Sequence, residues 1–155
     1  MLEKFYPGEY VDSTYEIDFD RLYEEGYRGV LFDIDNTLVR HGAPADERAC
    51  ALFAHLKELG FSCMLLSNNK EPRVKMFHDA VHVSYIYKAG KPNPASYRKA
   101  MEQMGTDVTN TVFVGDQIFT DVYGANRAGI QIVLKRYLEK VVLYFYQRKL
   151  KKEKR

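Results

Sequence analysis

The sequence predicts a single α/β domain over residues 1–155, with a mainly parallel sheet flanked by helices on both faces. Three observations lead there. Short apolar runs around residues 30, 63, 84, 112 and 132 alternate with stretches of helical apolar spacing. Several of those helical stretches close on a glycine. The polar residues best suited to chemistry fall just after apolar runs, where open parallel sheets gather their ligands.

In chain order, residues 1–28 form an extension rich in Tyr, Asp and Glu, placed to cover a sheet edge or the site. Residues 29–35, Gly-Val-Leu-Phe-Asp-Ile-Asp, read as a buried strand ending in carboxylates. Ala49, Leu52, Phe53, Leu56 and Leu59 give residues 46–59 a helical stripe, which Gly60 stops. A second strand covers 61–66 and runs into Ser67-Asn68-Asn69. A helix over 71–79 accepts Pro72 in its first turn. Residues 81–87 are β-rich, and Asn93 caps a helix over 94–104 that Gly105 ends. A strand at 111–114, a helix at 119–128 closed by Gly129, a strand at 131–134 and a long helix from 136 to about 151 complete the pattern.

Composition sets bounds. Apolar residues make up 46% and charged residues 28%, ordinary for a globular chain. No run of 18 apolar residues suggests a membrane span, and residues 1–8 lack the pattern of a secretory signal. Cys50 and Cys63 form no CxxC pair and read as reduced, buried thiols, which points to the cytoplasm. Charge is uneven. Residues 135–155 hold nine Lys/Arg against two acidic residues, and the rest holds 14 against 19. A basic tail on a mildly acidic body points to an anionic partner surface.

Asp33 and Asp35 flank Ile34 at the end of an apolar strand, where two carboxylates are costly without a positive neighbour. Alone, such a pair reads as loop acids or a cap. Because matching polar groups end the other strands, a metal site is preferred. Mg²⁺ takes oxygen ligands and one or two protein carboxylates, leaving room for a phosphate. Asp33, the Asp35 main-chain carbonyl and Asp116 are the candidate ligands. Lys91 offers a point charge to a phosphate, the alternative being a surface lysine. Ser67 and Asn68 offer a hydroxyl and main-chain N–H groups to phosphate oxygens, or else form a simple turn. Asp121, five residues after Asp116, either satisfies a helix N-terminus or, as preferred here, orients Lys91 or a metal-bound water. The histidines show no metal-ligand spacing. His41 reads as a loop residue that borders the site at most.

Taken together, Asp33-Ile34-Asp35-Asn36-Thr37-Leu38, Ser67, Lys91 and Gly115-Asp116 through Asp121 match in order the four motifs of the haloacid dehalogenase (HAD) superfamily of phosphatases, over roughly residues 29–130. Ser67-Asn68-Asn69, Tyr87 to Pro92 and Thr120-Asp121-Val122 are most similar to its subfamily IIIA group YqeG, related to mitochondrial phosphatidylglycerophosphate phosphatase. The resemblance implies a three-layer Rossmann-like fold. It also implies a two-step phosphatase reaction. Asp33 is the nucleophile that forms an aspartyl-phosphate. Asp35 protonates the leaving oxygen and then activates water. Mg²⁺ is the cofactor, and Ser67 and Lys91 hold the phosphoryl oxygens.

Relatives often insert a lid after the first motif or between the second and third. Residues 36–66 and 68–90 are consumed by predicted elements, so no cap domain is expected. An open site suits a phosphate carried on a large body. The candidate substrate is phosphatidylglycerophosphate, converted to phosphatidylglycerol. Leu134, Leu138, Val141 and Phe145 share one face of the basic C-terminal helix, which either packs on the sheet or touches anionic lipid at the inner face of the membrane. The alternatives are a nucleotide or nucleic-acid-end phosphatase, or a non-catalytic nucleotide- or RNA-associated binding protein of the same fold.

Overall fold

The structure is a computed structural model that describes Lys4 and residues 6–135. The predicted helix from 136 onward lies outside the described residues. Six strands form one sheet: β1 (Glu9–Val11), β2 (Gly29–Phe32), β3 (Ser62–Leu66), β4 (Ser84–Ile86), β5 (Thr111–Gly115) and β6 (Gln131–Lys135). Their order across the sheet is β1-β6-β5-β2-β3-β4, and every neighbouring pair is parallel. Five α-helices accompany them: α1 (Phe19–Glu24), α2 (Glu47–Leu59), α3 (Glu71–Val81), α4 (Ala95–Met104) and α5 (Tyr123–Ala128).

The pleat of the central strands explains the three layers. Alternate residues point to opposite faces. Val30 and Phe32 join Leu22, Phe53, Leu56 and Phe77 in a core beneath α1, α2 and α3. Leu31 and Phe113 join Tyr97, Ala100 and Ala125 beneath α4 and α5. A parallel strand covered on both sides must be apolar throughout, and β2 is buried at all four positions. Phe32 meets the Phe53 ring at 5.1 Å, edge to face, which ties α2 to the sheet centre.

The helix boundaries follow local chemistry. Asp46 accepts from the Ala49 N–H at 2.9 Å to begin α2. Gly60, with φ 104°, ends it in a left-handed conformation that glycine adopts without strain. The expected helix over 94–104 begins at Ala95 with Pro94 in the capping position, and Asn93, expected as the cap, instead accepts from the Ala95 N–H at 3.0 Å in a turn just before it. α3 runs two residues past its expected end, and β4 is shorter than the β-rich stretch around it. Cys50 and Cys63 are unpaired and half-buried rather than fully buried, and burial pushes the Cys63 thiol up to about 12.

Two features go beyond the sequence pattern: the extension covers a sheet edge as expected but does so as a paired strand, and the helix over 119–128 does not begin as a regular one. Within 1–28, β1 pairs with β6 and closes that sheet edge, Glu9 opposite Val133. The same extension braces the loop after β2, where Thr14 Oγ1 donates to the Thr37 carbonyl at 2.6 Å and Tyr15 OH to the Leu38 carbonyl at 2.7 Å. The expected helix over 119–128 instead begins with a π-helical turn, Ile118–Val122, before α5. The N–H groups of Asp121 and Val122 both reach the Gln117 carbonyl, at 2.9 and 3.1 Å.

Candidate active site

Chain order makes β2 and β5 the switch point. From β2 the chain winds outward through β3 and β4, then returns to β5 and β6 on the other side. Loops leaving β2 and β5 at their carboxyl ends diverge there and open a crevice. A cavity of about 180 Å³ occupies that end of the sheet. Asp33, Asp35, Ser67, Asn68 and Lys91 line it, joined by His41, Asn69, Gln117 and Thr120. His41 thus borders the site, the outer limit of what its place in the sequence suggested.

Oxygens of Asp33, Asp116 and Asp121 lie within 4.8 Å of one another. Asp33 is 9% exposed, Asp116 6% and Asp121 fully buried. Lys91 stands between two of them, donating to Asp33 Oδ1 at 3.1 Å and to Asp121 Oδ1 at 2.7 Å. Among the described residues it is the one cation bonded to this cluster. Three carboxylates against one ammonium leave excess negative charge out of water. Burial and the neighbouring Asp33 and Asp121 charges push Asp116 up to about 8. Burial also raises Asp33, with Lys91 opposing and Asp121 adding to the rise. Burial alone would lower Lys91, but the Asp121 and Asp33 charges outweigh it and hold the ammonium above its usual range. The donor set, all hard oxygen and short of positive charge, fits a small divalent cation.

Asp121 is committed elsewhere. Besides Lys91, its Oδ2 accepts from the N–H groups of Asp116 and Gln117 at 3.1 and 3.2 Å. These bonds suit a group that fixes Lys91 better than one that ligates a cation. Thr37 Oγ1 donates to Asp116 Oδ1 at 3.3 Å, which links the N-terminal brace to the cluster. Asn68 is bonded both ways to the Lys91 main chain, donating at 3.0 Å and accepting at 2.8 Å. Any phosphate contact from Asn68 therefore falls to its main-chain N–H. Ser67 Oγ, almost fully buried, accepts from the Asn69 N–H at 3.1 Å.

Asp35 sits in a different environment. It accepts from the Gly42 N–H at 2.7 Å, Asn69 Nδ2 at 2.6 Å and Arg73 Nη2 at 2.8 Å. Burial works to raise it, yet the Arg73 hydrogen bond, the Gly42 N–H and the Arg73 charge outweigh burial and hold the carboxyl below its ordinary value. The motif reading missed Arg73. The available signal was a cation in the first turn of a helix, where the backbone dipole disfavours one.

The packing behind Asp121 leaves no room. A Cβ at Gly115 would lie 2.6 Å from Asp121 Oδ2 and 2.7 Å from its Cγ. Gly115→Ala should displace Asp121 and, through it, Lys91. We expect a loss of about 1–3 kcal/mol in urea unfolding, together with a clear fall in kcat.

Comparison with known proteins agrees with this geometry. The family model described as HAD-hydrolase-like matches residues 88–136. "Probable phosphatase YqeG" of Bacillus subtilis is 38% identical over 136 residues, covering 86% of this chain and 79% of that protein. This chain belongs to the HAD-like YqeG family. Phosphatidylglycerophosphate phosphatase 1, chloroplastic/mitochondrial, of Arabidopsis thaliana is 25% identical over 88% of this chain, which spans 42% of that longer protein. The fold matches a HAD family hydrolase from Deinococcus radiodurans, solved with bound phosphate and sodium, at TM-score 0.54 and 14% identity, over 71% of this chain and 91% of that one. As a YqeG-family member the chain is a HAD-type phosphatase. In this YqeG-family domain, no described helix is long and apolar enough to cross a membrane.

Proposed function

We propose that this phosphatase hydrolyses phosphomonoesters in a Mg²⁺-dependent reaction through an aspartyl-phosphate at Asp33, with phosphatidylglycerophosphate as substrate. The gathering of Asp33, Asp116 and Asp121 within 4.8 Å, with Lys91 bonded to Asp33 and Asp121, carries the proposal. Asp33 is the nucleophile, and Lys91 holds its carboxylate and the incoming phosphate in line. Ser67 and the Asn68 N–H hold the remaining phosphoryl oxygens. Asp35 gives a proton to the leaving oxygen and later takes one from water. Mg²⁺ would be held by Asp33, the Asp35 carbonyl and Asp116, and would neutralise charge on the transferring group.

Two observations support a lipid substrate. The Arabidopsis phosphatase of that name resembles nearly all of this chain. Among the described residues, α2 with β3 and α3 with β4 account for the stretches where relatives carry lids, so the cavity mouth stays open to a bulky body. The basic residues of 135–155 would touch anionic headgroups.

Vesicles containing phosphatidylglycerophosphate should release inorganic phosphate with Mg²⁺ and none with a chelator. No release from the lipid, alongside good release from p-nitrophenyl phosphate, removes the lipid proposal. A thermal shift tests the metal separately. At about 100 times its Kd, Mg²⁺ should stabilise the protein by about 2.7 kcal/mol, which is roughly 5–10 °C for a domain of this size. The sign of its pH dependence follows from Asp116. A carboxyl raised to about 8 keeps its proton through neutral pH, and a cation must displace it. The Mg²⁺-induced shift should therefore grow between pH 6 and pH 8.5.

A further inference from the structure

Arg73 stands where helix physics disfavours it. It is the third residue of α3, in a first turn whose free N–H groups already concentrate positive charge. Its side chain is 15% exposed, and Nε and Nη1 are buried without a hydrogen-bond partner. Among the described residues the guanidinium makes one polar contact, Nη2 to Asp35 Oδ1 at 2.8 Å, and the Asp35 side chain is 12% exposed. A cation held this way, against both burial and the dipole, does little for α3 itself. What it changes is Asp35.

An ionised carboxylate has about four acceptor positions, two on each oxygen. Oδ1 of Asp35 receives the Gly42 N–H at 2.7 Å and Arg73 at 2.8 Å, which fills both. Oδ2 receives Asn69 Nδ2 at 2.6 Å, which leaves one. His41 Nδ1 lies 4.0 Å from Oδ1, beyond hydrogen-bond reach. We infer that Arg73 is a positioning residue: with the Gly42 N–H it saturates Oδ1 of Asp35, so that proton exchange with substrate and water runs through Oδ2.

This rests on the acid–base role proposed for Asp35. In the first half-reaction an Asp33 oxygen bonds to phosphorus while the bond from phosphorus to the leaving oxygen breaks, and the proton on Oδ2 passes to that oxygen. In the second, a water oxygen bonds to phosphorus as the Asp33–phosphorus bond breaks, and Oδ2 takes the proton from water. Inorganic phosphate departs and Asp33 returns as a carboxylate. Without Arg73 one position on Oδ1 opens, and the carboxyl can turn about its Cβ–Cγ bond. An alkoxide leaving group needs the proton and suffers, whereas p-nitrophenolate departs without it.

The test compares butyl phosphate with p-nitrophenyl phosphate on the full chain with Mg²⁺. Arg73→Ala should lower kcat/KM on butyl phosphate by about 10–100-fold and that on p-nitrophenyl phosphate by less than about threefold, because kcat/KM reports only formation of the aspartyl-phosphate, whereas its hydrolysis is common to both substrates. Arg73→Lys should restore part of the alkyl rate. If Arg73→Ala does not fold, Arg73→Met carries the comparison, because it keeps much of the apolar stem but offers no N–H donor to Oδ1, and the same selective loss is expected. Asp35→Asn, run in parallel, should show the same selectivity in kcat/KM more strongly, and should lower kcat on both substrates because hydrolysis of the aspartyl-phosphate loses its base. Equal losses on both substrates, or none, in a folded Arg73 variant would overturn the positioning role while Asp35→Asn remains selective. If Asp35→Asn itself lacks selectivity, the acid–base reading of Asp35 fails, and this inference fails with it.

Discussion

Asp33→Asn should lower kcat by roughly 10⁴-fold or more on every phosphomonoester, yet leave the protein folded and, without metal, at least as stable as its parent. The first half follows from the amide's inability to attack phosphorus. The second follows from the crowding. Asp33 shares its surroundings with Asp116 and Asp121, and burial and the Asp121 charge already push its carboxyl upward. An amide of the same size removes one charge from a cluster in excess, and Lys91 keeps its shorter bond, 2.7 Å, to Asp121. Steady-state kinetics with two unrelated substrates, beside thermal unfolding in chelator, measures both halves. Full activity in the variant would rule out Asp33 as nucleophile. Lost activity with a lower melting temperature would mean that Asp33 supports the fold more than the charge count implies.

Lys91→Met should act on stability and turnover together. The Lys91 side chain is 3% exposed, and its ammonium is the cation between Asp33 and Asp121. Removing one partner of a buried ion pair leaves uncompensated charge and costs about 3–5 kcal/mol, equivalent to a fall of roughly 10 °C or more. Activity should vanish with the lost phosphate contact. The sign of the pH effect separates electrostatics from packing. The folded-state value of Lys91 lies above its ordinary one, so its contribution to the parent persists throughout the neutral range. In the variant the penalty comes from ionised carboxylates. Lys91 holds the Asp33 carboxyl down in the parent, so without it Asp33 takes up a proton at higher pH than in the parent, and acidification relieves the penalty. The difference in melting temperature between parent and variant should therefore shrink from pH 8 to pH 5.5. Adding Asp121→Asn to Lys91→Met should recover part of the lost stability, because it removes the charge that Lys91 neutralised at closest range. A penalty that is constant with pH, and not relieved in the double variant, would assign the loss to packing against Phe113, whose ring lies 5.4 Å from the ammonium.

These two variants also separate the layers of the site. On the proposed mechanism Asp33 would act on the substrate, Lys91 on both substrate and carboxylates, and Asp121 through Lys91. The bracing of the Thr37 carbonyl by Thr14, followed by the Thr37 contact to Asp116, extends that chain of support into the N-terminal segment.

The amino-acid sequence alone determined the layered α/β fold and the rim on which Asp33, Ser67, Lys91 and Asp116 meet. Apolar periodicity is a local property, and parallel strands deliver their carboxyl ends to one edge, so residues far apart in the chain could be placed together by pattern. Tertiary structure decided the rest. β1 has three residues, and only its pairing with β6 makes it a strand. The π-helical turn that swings Asp121 onto Lys91 leaves no periodic trace at 118–122. Asn68 keeps the main-chain N–H that the sequence offered to phosphate, and the structure adds what its side chain does, two hydrogen bonds to the Lys91 main chain 23 residues away. Arg73 reaches Asp35 across 38 residues. The Asn68 and Arg73 contacts rest on one or two side-chain hydrogen bonds, to main chain or to another side chain, that the packed core brings within 3 Å or so, and no spacing rule encodes them.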